Sequence, residues 1–370
     1  MIICIDVSQR TKDSLEKLLQ TGGYRDYSEA VEVAIANQLL LQNHVPERPL
    51  RPNAAAEITS AEHSGEQGDG NGLPNQTVGT FHVPTLFSVL NPARGASNFA
   101  PYPTDNFSPG ADIAVDRWIF GQHNKLLPLK ATCRALARLT ASGSPGSLAL
   151  SKTAAEIASE AVKLGDYLKH LDESSGVHRD DSLSFAFPFS KSPNGDKSRL
   201  RYANQFVASF TTQGNLTGLP IEFKLANRDQ SRNPQILLTE AGWLFAGLPN
   251  PILDGPKNGR QSKFSNDEIQ FLLQHIRTRV PAEAFAYTVI FNALTEGANT
   301  PGTLDDALQE YLPQRDAKPF TRAFLTTQRA GVVSRMIDLG LIRRVRDGIT
   351  VTYIPAGTHW ESLLNATEAS

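Results

Sequence analysis

Residues 320–355 read FTRAFLTTQRAGVVSRMIDLGLIRRVRDGITVTYIP, and this run dictates its own local order. Ala330, Val333, Ile337 and Leu341 recur at the spacing of one buried helical face, while Thr327, Arg329, Ser334 and Arg335 fall on other faces. The spacing predicts an amphipathic helix with a polar side facing outward. Gly340 supplies a stop, because glycine takes the left-handed conformation that ends many helices. Leu341 and Ile342 then lead into Arg343, Arg344 and Arg346 and on to Asp347-Gly348, a dipeptide favoured in two-residue hairpin turns. Ile349, Val351 and Tyr353 alternate with Thr350 and Thr352 as in a half-buried strand. The order is helix, strand, turn, strand.

That order, the "LGLIRR" joint and the basic hairpin with its Asp-Gly tip resemble the winged-helix family of MarR-like regulators. The resemblance implies that the helix before the hairpin enters the major groove of DNA. Base edges would then be read from Thr327, Gln328, Arg329 and Arg335, and phosphates held by Arg343, Arg344 and Arg346 of the wing. Some winged helices bind only protein, so the resemblance also leaves room for a protein partner.

Residues 1–44 carry a separate pattern. Ile3, Ile5 and Val7 alternate with Ile2, Cys4 and Asp6 as in a short strand; Ser8 then caps a helix with Leu15, Leu18 and Leu19 on its apolar face. Gly22 and Gly23 stop it, and Asp26 with Glu29 can form a capping box for a second helix with the stripe Ala30, Val31, Ala34, Ile35 and Leu39. Strand, helix and helix in so few residues cannot close a core alone. The segment "GGYRDYSEAVEVAI" resembles the ribbon-helix-helix family of Arc- and CopG-type repressors. The resemblance implies a homodimer that buries Ile3, Ile5, Val7, Leu15, Leu18, Ala30, Ala34 and Ile35, because pairing two strands removes both edge and apolar face from water. Aligned on that family, Asp6 would face phosphate, so the expected role is dimerisation rather than groove reading.

Residues 45–112 read as a flexible linker and an extended arm. Pro46, Pro49 and Pro52 and the stretch "HSGEQGDGNGLPNQ" have no periodicity. The arm beyond them, with Phe81, Leu86, Phe87, Leu90, Phe99, Tyr102 and Phe107, is read as irregular chain covering the next domain. Residues 113–256 and 257–370 read as two further modules. In the first, two helical patterns are followed by "KSRLRYANQFVASFTT", with Leu200, Ala203, Phe206, Val207 and Phe210 at helical spacing. Expected strands "LPIEFKL" and "PQILLTEAGWLFAGL" come next. This order also resembles a winged helix, and the resemblance places Lys197, Arg199 and Arg201 at its third helix and Arg228 and Arg232 in its wing. In the last module Ser265 caps one helix, Pro281 opens another and Thr303 caps a third. The expected fold class is mainly α with small β elements: a ribbon-helix-helix dimerisation head plus two winged-helix-like domains.

A formal net charge of -2 supplies no global basic field, so any DNA contact must come from local patches. Cys4 and Cys133 lie far apart in sequence, which argues against a disulfide framework and for a cytoplasmic location. No stretch has the apolar length of a membrane span. Glu222-Phe223-Lys224, with Asp180 and Asp181 upstream, imitates the carboxylate and lysine elements of a metal-dependent nuclease, but the tripeptide is common by chance and a wing strand is the preferred reading. Histidine pairs at metal-ligand spacing, a phosphate-binding glycine loop and nucleophile motifs are all missing from the sequence, so no enzyme, metal or cofactor is expected. The function expected is that of a dimeric, sequence-specific binder of double-stranded DNA: a transcriptional regulator, or a plasmid or mobile-element factor. The alternative is a bivalent adaptor whose winged helices bind a partner protein.

Overall fold

A computed structural model describes residues 82–89, 99–103, 113–142, 149–176, 181–192, 194–211, 214–228, 235–255, 262–311 and 320–356. The expected ribbon-helix-helix head with its dimerisation residues, the linker to residue 81, Asp180 and Arg232 lie outside the described residues. The chain divides at Val78/Gly79 into two compact units, and every described residue belongs to the second.

The described residues of that unit are mainly α-helical with small antiparallel sheets. Its helices are α1 (Leu127–Ala141), α2 (Leu150–Ser174), α3 (Gly195–Tyr202), the single turn α4 (Leu219–Glu222), α5 (Glu240–Gly247), α6 (Asn266–Arg279), α7 (Pro281–Thr295), α8 (Pro301–Tyr311) and α9 (Arg322–Asp338). Among the described residues three two-stranded antiparallel pairs accompany them: β1 (Ser209–Phe210) with β2 (Leu216–Thr217), β3 (Ala226–Arg228) with β4 (Ile236–Leu238), and β5 (Ile342–Asp347) with β6 (Thr350–Pro355). No described helix is long and apolar enough to cross a membrane.

Several helix ends follow from local chemistry. Ser265 opens α6 in a capping box with Glu268, and Pro281 occupies the first turn of α7, where its missing N–H costs nothing. Thr300, rather than the expected Thr303, starts α8: its Oγ1 accepts from the Thr303 N–H at 3.2 Å, and Pro301 is the first helical residue. Gly340, at φ +70°, ends α9; the Leu341 N–H reaches Met336 O at 2.9 Å and the Gly340 N–H reaches Ile337 O at 3.0 Å. Those two bonds form a Schellman motif, which satisfies carbonyls that the helix itself leaves open.

The expected strand LPIEFKL is not one. Pro220 sits in the first turn of α4, Lys224 takes a left-handed φ of +56°, and pairing begins only at Ala226. Proline cannot donate to a ladder, which explains why the strand starts late.

The two modules expected on either side of residue 256 share one core. A single apolar cluster runs from Phe87 through α1 and α2 to α6, α7, α9 and Tyr353. The Phe245 ring stacks on Phe271 with centroids 5.6 Å apart, and His275 Nε2 lies 2.8 Å from the Phe223 carbonyl. Helix α1 is central and buried around nearly its whole circumference. It therefore buries polar residues. Lys130 pairs with Glu268 at 3.0 Å, both side chains fully buried, and Arg134 grips Asp254 at 2.6 and 3.0 Å. Burial lowers the Lys130 ammonium to about 8, against the pull of Glu268. Of the described arm residues Leu86 and Tyr102 are half-buried against the core, whereas Phe99 is exposed. Phe87 is fully buried, and the Ala100 N–H donates to Leu238 O at 2.9 Å.

Candidate nucleic-acid interface

Helix α9 forms where expected, but its polar side does not face water. Of the residues assigned to base edges, Gln328, Arg329 and Arg335 are buried and only Thr327 is half-exposed. Arg335 makes a two-pronged pair with Glu283, Nε to Oε1 at 2.5 Å and Nη2 to Oε2 at 2.8 Å, with a third bond from Nη1 to the His123 carbonyl at 2.8 Å. Arg329 Nε donates to Asp305 Oδ1 at 2.6 Å. Gln328 accepts from the Gly121 N–H and donates to Val115 O at 3.0 Å. The reason is a loop absent from the simple helix-plus-hairpin picture. Residues 120–123 cross α9 so closely that a Cβ on Gly121 would stand 2.1 Å from Thr327 O, and one on Gly331 would stand 2.3 Å from Gly121 O. These three residues are therefore structural in this conformation, and base reading from this face of α9 is corrected.

The hairpin after α9 forms as expected, but its turn falls one residue later than Asp347-Gly348. Strands β5 and β6 pair from Ile342↔Pro355 to Asp347↔Thr350. The two loop residues are Gly348, at φ +57°, and Ile349, which is fully exposed (102%) rather than the first strand residue. Arg343 and Arg346 are exposed, while Arg344 is half-buried with its guanidinium 6.0 Å from the Tyr353 ring centroid. The Tyr353 N–H donates to Asn299 O at 2.7 Å, which ties the hairpin to the α7–α8 connection.

Helix α3 presents the other basic surface. Lys197, Arg199, Leu200 and Arg201 are all exposed, and Arg199 Nη2 reaches Asp196 Oδ1 at 2.9 Å in a pair open to solvent. Such pairs are worth little and are readily exchanged for a phosphate. The expected inward face was wrong at its ends: Leu200 is 62% exposed and Phe210 is also exposed, while Tyr202, Ala203, Phe206 and Val207 are buried. Tyr202 sets the inward direction, with its ring 5.5 Å from Phe187 and 5.4 Å from Phe206. Its place in "SRLRYANQF" was the available signal. Arg228, at the end of β3, is exposed.

Beneath these surfaces lies a layer of buried charge. Asp338 accepts from Lys263 at 2.8 Å and from the Leu126 N–H at 3.0 Å. Burial opposes its ionisation, but Lys263, Lys125 and the Leu126 N–H together hold its carboxyl below the ordinary aspartate value. A carboxyl depressed in the folded state contributes stability above its unfolded pKa of about 3.9 and loses that contribution as pH falls through the folded value. Urea unfolding followed from pH 7 into the acid range should show Asp338→Asn less stable at neutral pH and shallower in its acid limb than the wild type. Equal acid limbs would remove Asp338 from the account.

Glu222 belongs to this layer. Its Oε2 lies 2.9 Å from His123 Nδ1, and Thr217 Oγ1 donates to its Oε1 at 3.0 Å. Burial raises its carboxyl pKa, while His123, Thr217 and the Phe120 N–H lower it more, for a net lowering. Among the described residues no group of three or more histidines, cysteines or carboxylates is gathered for a metal ion. No family model, no curated protein and no solved structure matches the chain.

Proposed function

We propose that this protein binds double-stranded DNA as a homodimer, with residues 1–44 as a ribbon-helix-helix dimerisation head and two winged-helix-like segments in each chain. One observation carries the reading: in a chain of formal net charge -2, α3 exposes Lys197, Arg199 and Arg201 within two turns. Three cations on a short helix form a local patch suited to phosphates, and Arg228 is exposed elsewhere on the same unit. Arg343 and Arg346 of the β5–β6 wing add a second patch, and dimerisation would multiply the effect of each weak contact. Base reading then belongs to α3 rather than to α9. The roles in view are a transcriptional regulator and a plasmid or mobile-element factor. Sequencing genomic fragments retained by the purified protein decides between them by naming the target.

Removing one cation from a phosphate lowers the slope of log affinity against log salt by about 0.9. In fluorescence anisotropy with a duplex, replacing Lys197, Arg199 and Arg201 together by alanine should therefore reduce that slope by about 2.7. Arg343→Ala with Arg346→Ala should reduce it by about 1.8. Absence of duplex binding at low salt would sink the proposal. It would favour the second reading, a bivalent protein adaptor, for which the exposed Leu200, Phe210 and Ile349 supply apolar anchors.

A further inference from the structure

We infer that Gln205 and Gln122 form a preset amide pair that reads one adenine–thymine base pair in the major groove, an inference that rests on the DNA-binding reading above. Gln205 Nε2 donates to Gln122 Oε1 at 2.7 Å on the surface. Gln205 lies four residues beyond Arg201, so the two share a side of the helical run, with the exposed Asn204 beside them. The patch that would hold phosphate thus continues directly into side chains able to recognise a base.

The backbone at this point is unusual. From Ala203 to Val207 the chain makes a π-helical turn, closed by the Ala208 N–H on Ala203 O at 3.0 Å. Such turns are rare and concentrate at functional sites, because the wider turn gives up regular α-helical bonding. Here it is held from within by the buried Tyr202, Phe206 and Val207.

The partner, Gln122, is exposed but sits on a fixed loop. On one side of it the Gly121 N–H donates to Gln328; on the other, the His123 carbonyl accepts from Arg335 at 2.8 Å and the His123 ring meets Glu222 at 2.9 Å. With the loop held by these bonds, an amide–amide bond open to water adds little to its stability. What that bond does fix is the orientation of two amide planes. Among the described residues neither amide makes a further side-chain hydrogen bond. Gln205 Oε1 remains an acceptor, and N–H groups of both residues remain donors. Adenine offers the complement in the major groove, an N6 amino donor beside the N7 acceptor, while thymine offers a 5-methyl group for apolar contact. Phe120, in the same loop and partly exposed, suits that methyl group. The buried ends of α9 would then take part in recognition indirectly, by holding the reading loop.

The test is selection of bound duplexes from a randomised pool, using the full chain, Gln205→Ala, Gln122→Ala and Gln205→Glu. The wild type should specify adenine at one position of its motif. Gln205→Ala and Gln122→Ala should each weaken preference there by roughly 10- to 100-fold, with the remaining positions still specified. Gln205→Glu, which can only accept, should move the preference toward cytosine, whose N4 donates. Wild-type binding with the same base frequencies in both alanine variants overturns the amide pair and leaves DNA binding standing; no duplex bound by the wild type overturns both.

Discussion

Arg335→Ala is expected to lower the free energy of unfolding by about 3–5 kcal/mol, seen as a fall in the urea midpoint. Both partners of the Arg335–Glu283 pair have fully buried side chains, and the guanidinium meets the carboxylate through two parallel bonds. Removing either side leaves an uncompensated charge in the core, and that penalty exceeds the net worth of the intact pair. Glu283→Ala should therefore cost about as much, and Arg335→Lys should recover little, because an ammonium cannot reproduce the planar fork or the third bond to the His123 carbonyl. Combining Arg335→Met with Glu283→Leu should restore much of the loss, since apolar side chains of similar volume remove both charges at once. A base-reading Arg335 would behave in the opposite way. Its alanine variant would unfold at the wild-type midpoint and lose only sequence preference on DNA, and that result would reject the structural role.

The same residue shows where sequence reading succeeds and where it stops. Helix α9, its glycine stop and the basic hairpin were legible because each depends on near neighbours: the apolar spacing of Val333, Ile337 and Leu341, though Ala330 at the same spacing is exposed, the left-handed Gly340, and Gly348 in the hairpin turn. The environment of α9 was not legible. Periodicity sends charged residues outward by default, and it reverses only when a partner is waiting. Those partners lie far along the chain, 52 residues away for Arg335, 24 for Arg329 and 120 for Arg134. No local window contains both members of such a pair. The joining of the two expected modules into one core was hidden for the same reason, since Lys130 and Glu268 lie on opposite sides of the expected boundary. At α3 the cations were legible and the inward face was not, because leucine was given the core position that Tyr202 occupies while Leu200 points to solvent. The Gln122–Gln205 pair carried no sequence signal at all. It depends on a loop folding back across α9 and on a turn that is π rather than α.

Gly121→Ala is expected to be the second large effect, about 3 kcal/mol of lost stability. A methyl group at this position would stand 2.1 Å from Thr327 O and 2.8 Å from Gln328 N, and both are backbone atoms of α9 rather than the ends of yielding side chains. The helix cannot move aside cheaply, because Arg329, Arg335 and Asp338 tie it to Asp305, Glu283 and Lys263. The loop must lift instead. Lifting it strains the bonds from the Gly121 N–H to Gln328 and from Arg335 to the His123 carbonyl, leaving buried polar groups short of partners. Gly331→Ala attacks the same contact from the other side, so its loss should be similar, and the double variant should cost much less than the sum of the two. Proteolysis and amide exchange around residues 118–125 should rise in both variants before the rest of the unit opens. The consequence for DNA separates packing from recognition. If the loop carries Gln122 to a base, Gly121→Ala at a temperature where it remains folded should blur the adenine position of the selected motif while the slope set by Lys197, Arg199 and Arg201 persists. A folded Gly121→Ala protein with a sharp wild-type motif would show that the loop only covers α9.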